Sequence, residues 1–374
     1  MRIAFLFCSF ANPGGIERTL TDKANYLSAE GHQVTIVTYE QGNHPYAYDL
    51  YPTVRKTDLN CRYFTIFKYP FYQRIVRKML INILFRKRWK RFVSQWKPDV
   101  VVTTTSSKDF MKETMSVSHL TKIIIEAHLT YQHDYEAVSS TSKKLERMSL
   151  LHHMKKCHML IALTKQDSAL WSERINNVVT LRNPIARYDE VLPDIKKEAG
   201  RIISVGRLHR DKRYDRLIKA FSILSDNYPE WYLDIYGGGE DRDSLQQLIQ
   251  HLKLENRVIL HTPTKNIYDE YLRSQFLVLS SDSESFSLVI LEAMACGLPV
   301  VSTNCPYGPA DIVEDGRTGL LCDMNEKSLS EKMEWMITHE TERREMGIQA
   351  RTTAACYKKD IVMKEWEKAY LSVV

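Results

Sequence analysis

Two acids and two bases carry the chemistry this sequence offers. In the run Ser283-Glu284-Ser285-Phe286-Ser287-Leu288-Val289-Ile290-Leu291-Glu292, a loop holding Glu284 follows a strand-like segment, Phe276–Ser280, and a helical pattern opens near Ser287. Free amides and the positive dipole end at a helix start suit an anion, and a phosphate is the natural guest. Glu284 lies just outside that helix and Glu292 within it, so the two acids stand at different depths along one site. Upstream, Ser204-Val205-Gly206-Arg207-Leu208-His209-Arg210-Asp211-Lys212 brings Gly206 to the end of another strand, followed by Arg207 and Lys212. Arg forks two hydrogen bonds to a diphosphate and Lys adds a point charge. Taken alone, the acids read more readily as a helix cap and a solvated helix residue, and the bases as an ordinary basic loop.

Weaker candidates stand at equivalent places. Gly237 to Gly239 lie between a strand and a helix, and Gly14-Gly15 between the first strand and the first helix; small residues there let backbone approach a ligand. His128 ends the run Ile123-Ile124-Ile125-Glu126-Ala127, at a strand's C-terminal end. A lone histidine there is more often structural than catalytic. Asp241-Arg242-Asp243 has the form of a metal-binding pair, but acids at that place also favour a helix N-terminus electrostatically.

The elements that must position these residues alternate. Strands are expected at Arg2–Cys8, Val34–Tyr39, Val100–Thr104, Lys122–Glu126 and Met159–Thr164, with a first helix over Ile16–Glu30. After a polar stretch, Arg187–Ala199, strands recur at Ile202–Val205, Trp231–Tyr236, Val258–Leu260, Phe276–Ser280 and Val300–Thr303, interleaved with helical patterns. Such alternation predicts parallel α/β sheets. The fold class is therefore α/β: two doubly wound domains, facing a cleft where such sheets bind ligands. The expected boundaries are 1–186 for the first domain, 187–199 for a linker, 200–357 for the second domain, and 358–374 for a C-terminal helix packing back on the first domain.

Composition narrows the class. The 374 residues suit two domains, and 44% apolar with 26% charged residues excludes a disordered or collagen-like chain. Seven scattered cysteines without a Cys-x-x-Cys suggest neither a disulfide framework nor a zinc site. No stretch approaches the ~18 apolar residues of a membrane span. The N-terminal apolar run is short, has one positive charge and meets a Pro-Gly-Gly turn, so it reads as a strand, not a signal peptide. A cytoplasmic protein is expected. The net charge of +6 conceals a segment, 59–98, with eleven Lys or Arg and no acid, which leaves −5 for the rest (6 − 11). Apolar and aromatic residues interleave with these bases at helical spacing. The segment reads either as a solvated helix face or as a peripheral surface for anionic lipid on the inner face of a membrane. Nucleic acid ranks below both, because no nucleic-acid module accompanies the patch.

The run Glu284 to Glu292, continued by Ala293-Met294-Ala295-Cys296-Gly297-Leu298-Pro299-Val300, resembles the retaining family-4 glycosyltransferases, whose signature is Glu-x7-Glu followed by Ala-Met-Ala-x-Gly-x-Pro-Val. Val205-Gly206-Arg207-Leu208 with Lys212 resembles the family's diphosphate-binding motif. Two departures stand out: Ser287 where the family commonly has Gly, and Arg213 where Gly often follows the Lys. The resemblance covers nearly the whole chain and is specific between about 201 and 321. It implies the GT-B fold and hexosyl transfer from a nucleotide-sugar, with UDP favoured over GDP, to a hydroxyl of a glycan or lipid-linked acceptor with configuration retained. Arg207 and Lys212 would hold the diphosphate with the segment Phe286, Ser287, Leu288 and Val289. Glu284 would position the sugar, Glu292 would bind the ribose, and Gly237 and Gly239 would line the nucleotide pocket. His128 would face the sugar, and Gly14 and Gly15 would form a loop towards donor and acceptor. No metal or other cofactor is expected. Asn183-Pro184 matches the family's dipeptide before the linker, and Cys305 to Asp311 resembles enzymes that build surface glycans. An epimerase or inverting transferase on the same fold, and a non-catalytic protein binding nucleotide-sugar and membrane, are the alternatives.

Overall fold

The computed structural model describes residues 1–131 and 141–374. They form two compact units, one of residues 1–181 with 363–374 and one of residues 182–362. The first therefore ends before residue 186, the boundary expected from the sequence. The physical reason is local: the Ile185 amide donates to the Tyr357 carbonyl at 2.9 Å and the Arg182 guanidinium lies 4.9 Å from the Tyr357 ring centre.

The first unit is built on a parallel sheet of Arg2–Phe7 (β1), Gln33–Thr38 (β2), Arg55–Asp58 (β3), Val100–Thr104 (β4), Lys122–Ala127 (β5), Met159–Ala162 (β6) and Val178–Thr180 (β7). Their spatial order is β3-β2-β1-β4-β5-β6-β7. Central strands such as β4 and β6 are buried at every position, as a sheet covered on both faces requires. One side of the core gathers on Phe85 and Phe110, stacked at 4.1 Å between centroids, with Trp89 beside them.

The second unit repeats the plan with Arg201–Val205 (β8), Tyr232–Tyr236 (β9), Val258–His261 (β10), Phe276–Leu279 (β11), Val300–Thr303 (β12) and Gly319–Cys322 (β13), in the order β10-β9-β8-β11-β12-β13. The helix Tyr214–Ser225 lays Leu217, Ile218, Phe221 and Leu224 on this sheet, one apolar stripe at helical spacing. In both sheets the strand order reverses once. In the second unit this falls between β8 and β11, so the loops leaving those strands flank a crevice at their C-terminal ends.

Candidate active site

The crevice of the second unit holds a cavity of about 190 Å³, lined among others by Gly206, Lys212, Ser281, Glu284, Phe286 and Ser287. At its centre the Lys212 Nζ donates to Glu284 Oε1 at 2.6 Å, and the Ser281 hydroxyl donates to the same oxygen at 2.7 Å. Glu284 is buried, only 8% exposed. Its backbone is clamped from behind: its amide donates to the Pro306 carbonyl at 2.9 Å and its carbonyl accepts from the Tyr307 amide at 3.0 Å. The helix Leu288–Ala295 starts at the cavity wall, with Ser287 as its cap residue and Leu288 and Val289 also lining the space. Ser287 makes no capping hydrogen bond through its side chain.

Two loops meet here and are fastened to each other. The Ser280 hydroxyl donates to the Lys212 and Arg213 carbonyls at 2.8 and 2.9 Å, and the Asp282 amide to the Asp211 carbonyl at 2.9 Å. Buried Arg216 donates to the Ser280 carbonyl at 2.8 Å and to Asp282 at 2.6 Å. Arg213, a departure from the family pattern, adopts φ +50°, the left-handed region that glycine enters most easily. Its guanidinium compensates, pairing with Asp215 at 3.0 Å and Asp282 at 3.1 Å, so the charge anchors the loop. Neither Arg216 nor Asp282 carries a motif, and sequence reasoning missed both.

Arg207 stands at the end of β8 but does not line the cavity; it is exposed and has no carboxylate partner among the described residues. Gly237 and Gly239 are explained by packing. A Cβ on Gly237 would lie 1.9 Å from the Gly206 carbonyl oxygen, and one on Gly239 2.1 Å from the Leu208 carbonyl oxygen. Together with the Leu208 amide donating to the Gly238 carbonyl at 2.9 Å, they let the loop after β9 lie flush on the loop carrying Arg207. Glu292 sits on the helix Leu288–Ala295, buried, with the Tyr271 hydroxyl donating to Oε2 at 3.4 Å. Asp241 is the cap residue of the helix Arg242–His251 and Asp243 lies in its first turn. No cluster of three or more metal-ligating side chains occurs among the described residues.

His128, Gly14 and Gly15 belong to the first unit. His128 follows β5 directly, buried, with Nε2 2.8 Å from Glu126 Oε2. That carboxylate also receives the Lys23 Nζ at 2.8 Å and, on its other oxygen, the Tyr370 hydroxyl. Lys23 Nζ lies 3.0 Å from the centre of the Trp366 ring. Burial brings the Lys23 ammonium down to about 8 despite Glu126. For Glu126 burial acts upward, but Lys23 and His128 outweigh it and hold the acid at about 2. Burial also lowers His128, which favours the neutral imidazole. With an ionised carboxylate on Nε2, that nitrogen carries the proton and Nδ1 keeps its lone pair, able to accept from a hydroxyl. Lys23, Trp366 and Tyr370 escaped sequence reasoning because nothing local links them to His128. Gly15 opens the helix Gly15–Ala29, and a Cβ built on it meets nothing within 4 Å. The protein's own packing does not demand a glycine there.

Residues 13–186 match the family described as Glycosyltransferase Family 4, and residues 192–353 match Glycosyl transferases group 1. An uncharacterized glycosyltransferase of Haemophilus influenzae is 26% identical over 372 residues, 98% of this chain and 99% of that one. The GalNAc-alpha-(1->4)-GalNAc-alpha-(1->3)-diNAcBac-PP-undecaprenol alpha-1,4-N-acetyl-D-galactosaminyltransferase of Campylobacter jejuni is 26% identical over 380 residues, 100% of this chain and 99% of its own. Anabaena HepE, solved in complex with UDP, superposes with a TM-score of 0.74 at 17% identity, covering 100% of both chains. The fold is GT-B, with two Rossmann-like units.

Proposed function

Because the chain belongs to the retaining glycosyltransferases of family 4, we propose that it moves a hexose-type sugar from a UDP-sugar to a hydroxyl of a glycan or lipid-linked acceptor. One observation carries this reading: Lys212, Glu284 and Ser281 converge on a cavity at the strand reversal, against the start of the helix Leu288–Ala295. A cation and helix amides beside a carboxylate suit a donor whose diphosphate and sugar hydroxyls lie next to each other.

In this proposal the anomeric carbon's bond to the β-phosphate oxygen breaks, a bond to the acceptor oxygen forms on the same face, and the acceptor hydroxyl's proton passes to the departing phosphate. Arg207, Lys212 and the amides of Leu288 and Val289 offset the charge growing on the departing UDP, which is where fixed electrostatics accelerate a reaction most. Glu284 accepts from sugar hydroxyls through the carboxylate oxygen that Lys212 and Ser281 leave open. Glu292 binds the ribose hydroxyls. His128 contacts the sugar through Nδ1. Two facts about relatives support the donor and acceptor classes: HepE was solved with UDP, and the Campylobacter enzyme's name ends its acceptor in PP-undecaprenol. The test is a mass-spectrometric screen of UDP- and GDP-sugars for nucleotide release, with and without lipid-linked and free glycans. UDP release stimulated by an acceptor is expected. Release from GDP-sugars alone would overturn the donor assignment, and release that no acceptor stimulates would overturn transfer.

A further inference from the structure

The long helix Phe71–Trp96 is buried only in its second half, where Phe85, Trp89 and Val93 enter the core of the first unit. Its first half carries large apolar side chains in the open. Phe71 is 76% exposed, and Ile75, Val76, Met79, Leu80 and Ile83 are each more than half exposed. At 3.6 residues per turn these six occupy about one half of the helix circumference over roughly 20 Å. The short 3-10 turn Tyr63–Lys68 adds Phe64 and Phe67, both exposed. A patch of this extent is unusual on a soluble surface and marks a contact.

The charge pattern selects what it contacts. On the same side of the helix, one to two turns further along, stand exposed Arg86, Lys87 and Lys90. The segment 59–98 holds eleven bases and no acid. A second copy of the chain would bring the same positive charge against this face. Nucleic acid would use the bases and leave the aliphatic side chains in water. An acyl boundary beneath anionic headgroups accepts both kinds of side chain at once. No described helix is long and apolar enough to cross a membrane, so the contact is with the surface. We propose that the first half of this helix and the turn before it lie in the surface of an anionic lipid bilayer, with Arg86, Lys87 and Lys90 on its headgroups.

The structure also refines which residues carry the contact. Arg88, within the basic run, donates to the Leu59 and Asn60 carbonyls at 2.6 and 2.8 Å and is an internal brace. Leu84 is half-buried. Both are left out of the test.

The experiment is sedimentation of the full chain with vesicles of phosphatidylcholine plus phosphatidylglycerol, and of phosphatidylcholine alone, at low and moderate salt. Binding to the anionic vesicles alone, weakened by salt, is expected. The triple variant Arg86→Gln, Lys87→Gln, Lys90→Gln should lower partitioning about a hundredfold, since each base near an anionic surface accounts for roughly fivefold. Met79→Ser with Ile83→Ser should lower it about tenfold or more. Near-UV circular dichroism and melting temperature should match the parent, because Phe85, Trp89 and Val93 are untouched. No sedimentation with anionic vesicles at low salt, equal binding to both vesicle types, or parent-like binding by both variants would each overturn the proposal. So would a dimer in sedimentation equilibrium that the serine variant dissociates. The readout is independent of the sugar chemistry proposed above.

Discussion

Replacing Lys212 by alanine tests the proposed diphosphate site directly. An ammonium has three N–H donors, and Lys212 spends one on Glu284 at 2.6 Å, leaving two for phosphate oxygens without breaking the existing pair. A hydrogen bond to a charged group is worth about 1.5–3 kcal/mol, which is roughly a 10- to 150-fold change in affinity. The structure places the expected loss near the upper end. Without Lys212, the Glu284 carboxylate keeps, among the described residues, the Ser281 hydroxyl at 2.7 Å and confronts the incoming diphosphate as an unneutralised like charge. UDP affinity measured by titration calorimetry should therefore fall about a hundredfold. The double variant Lys212→Ala with Glu284→Gln should recover part of that loss, because it removes the repulsion; neighbouring groups are not additive. Unchanged UDP affinity in the single variant would refute the diphosphate role. A double variant as weak as the single, or weaker, would refute the repulsion argument.

The two acids should separate in the same assay. Glu284→Gln should abolish most turnover with UDP affinity at or above the parent's, whereas Glu292→Gln should weaken UDP itself; identical profiles would sink the assigned roles. Two glycines give a steric contrast: Gly15→Ala should leave the melting temperature unchanged or raised while turnover falls, and Gly239→Ala should lower the melting temperature, because its Cβ meets the Leu208 carbonyl oxygen at 2.1 Å. Equal effects of the two on stability would contradict this packing account. Glu126, held at about 2 in the folded protein against 4.5 ordinarily, stabilises the fold fully above pH 4.5 and progressively less as pH falls towards 2. Glu126→Gln should flatten stability over that window and cost about 3–5 kcal/mol at neutral pH, by leaving buried Lys23 unpaired. Denaturant melts from pH 2 to 7 would show it, and a parallel pH curve for the variant would refute the pairing.

The parts of this protein legible in its sequence are those where chemistry is local. Central strands declare themselves as unbroken apolar runs, and the motif around Glu284 declares a loop followed by a helix. The strands that went unread lie at or beside sheet edges: Arg55–Asp58 is polar throughout, Val178–Thr180 has three residues and Gly319–Cys322 begins with glycine. Such strands are defined by the neighbour they pair with, which composition does not encode. The site divides the same way. Lys212 and Glu284 were found by spacing to separate motifs, but their mutual bond spans 72 residues of sequence. Tyr370 reaches Glu126 across 244 residues. Gly237 and Gly239 were visible as a glycine loop, yet the backbone they make room for belongs to the preceding strand's loop.

The route of the chain sets an order of events during synthesis. It leaves the first unit after Leu181 and returns to it only at Met363. Trp366 and Tyr370, both fully buried, are thus made after the whole second unit, yet they cover Lys23 and Glu126, which belong to the first half. The gap of 181 residues (362 − 181) takes about 10–40 s to translate at typical speeds. Over that interval the sheet of the first unit waits with the Lys23–Glu126 ion pair uncovered, while the second unit is being made. A ribosome that stops at Val362 therefore releases a chain with a complete second unit and an incomplete first. Limited proteolysis of a chain ending at Val362 should register this as cleavage confined to the residues before Arg182.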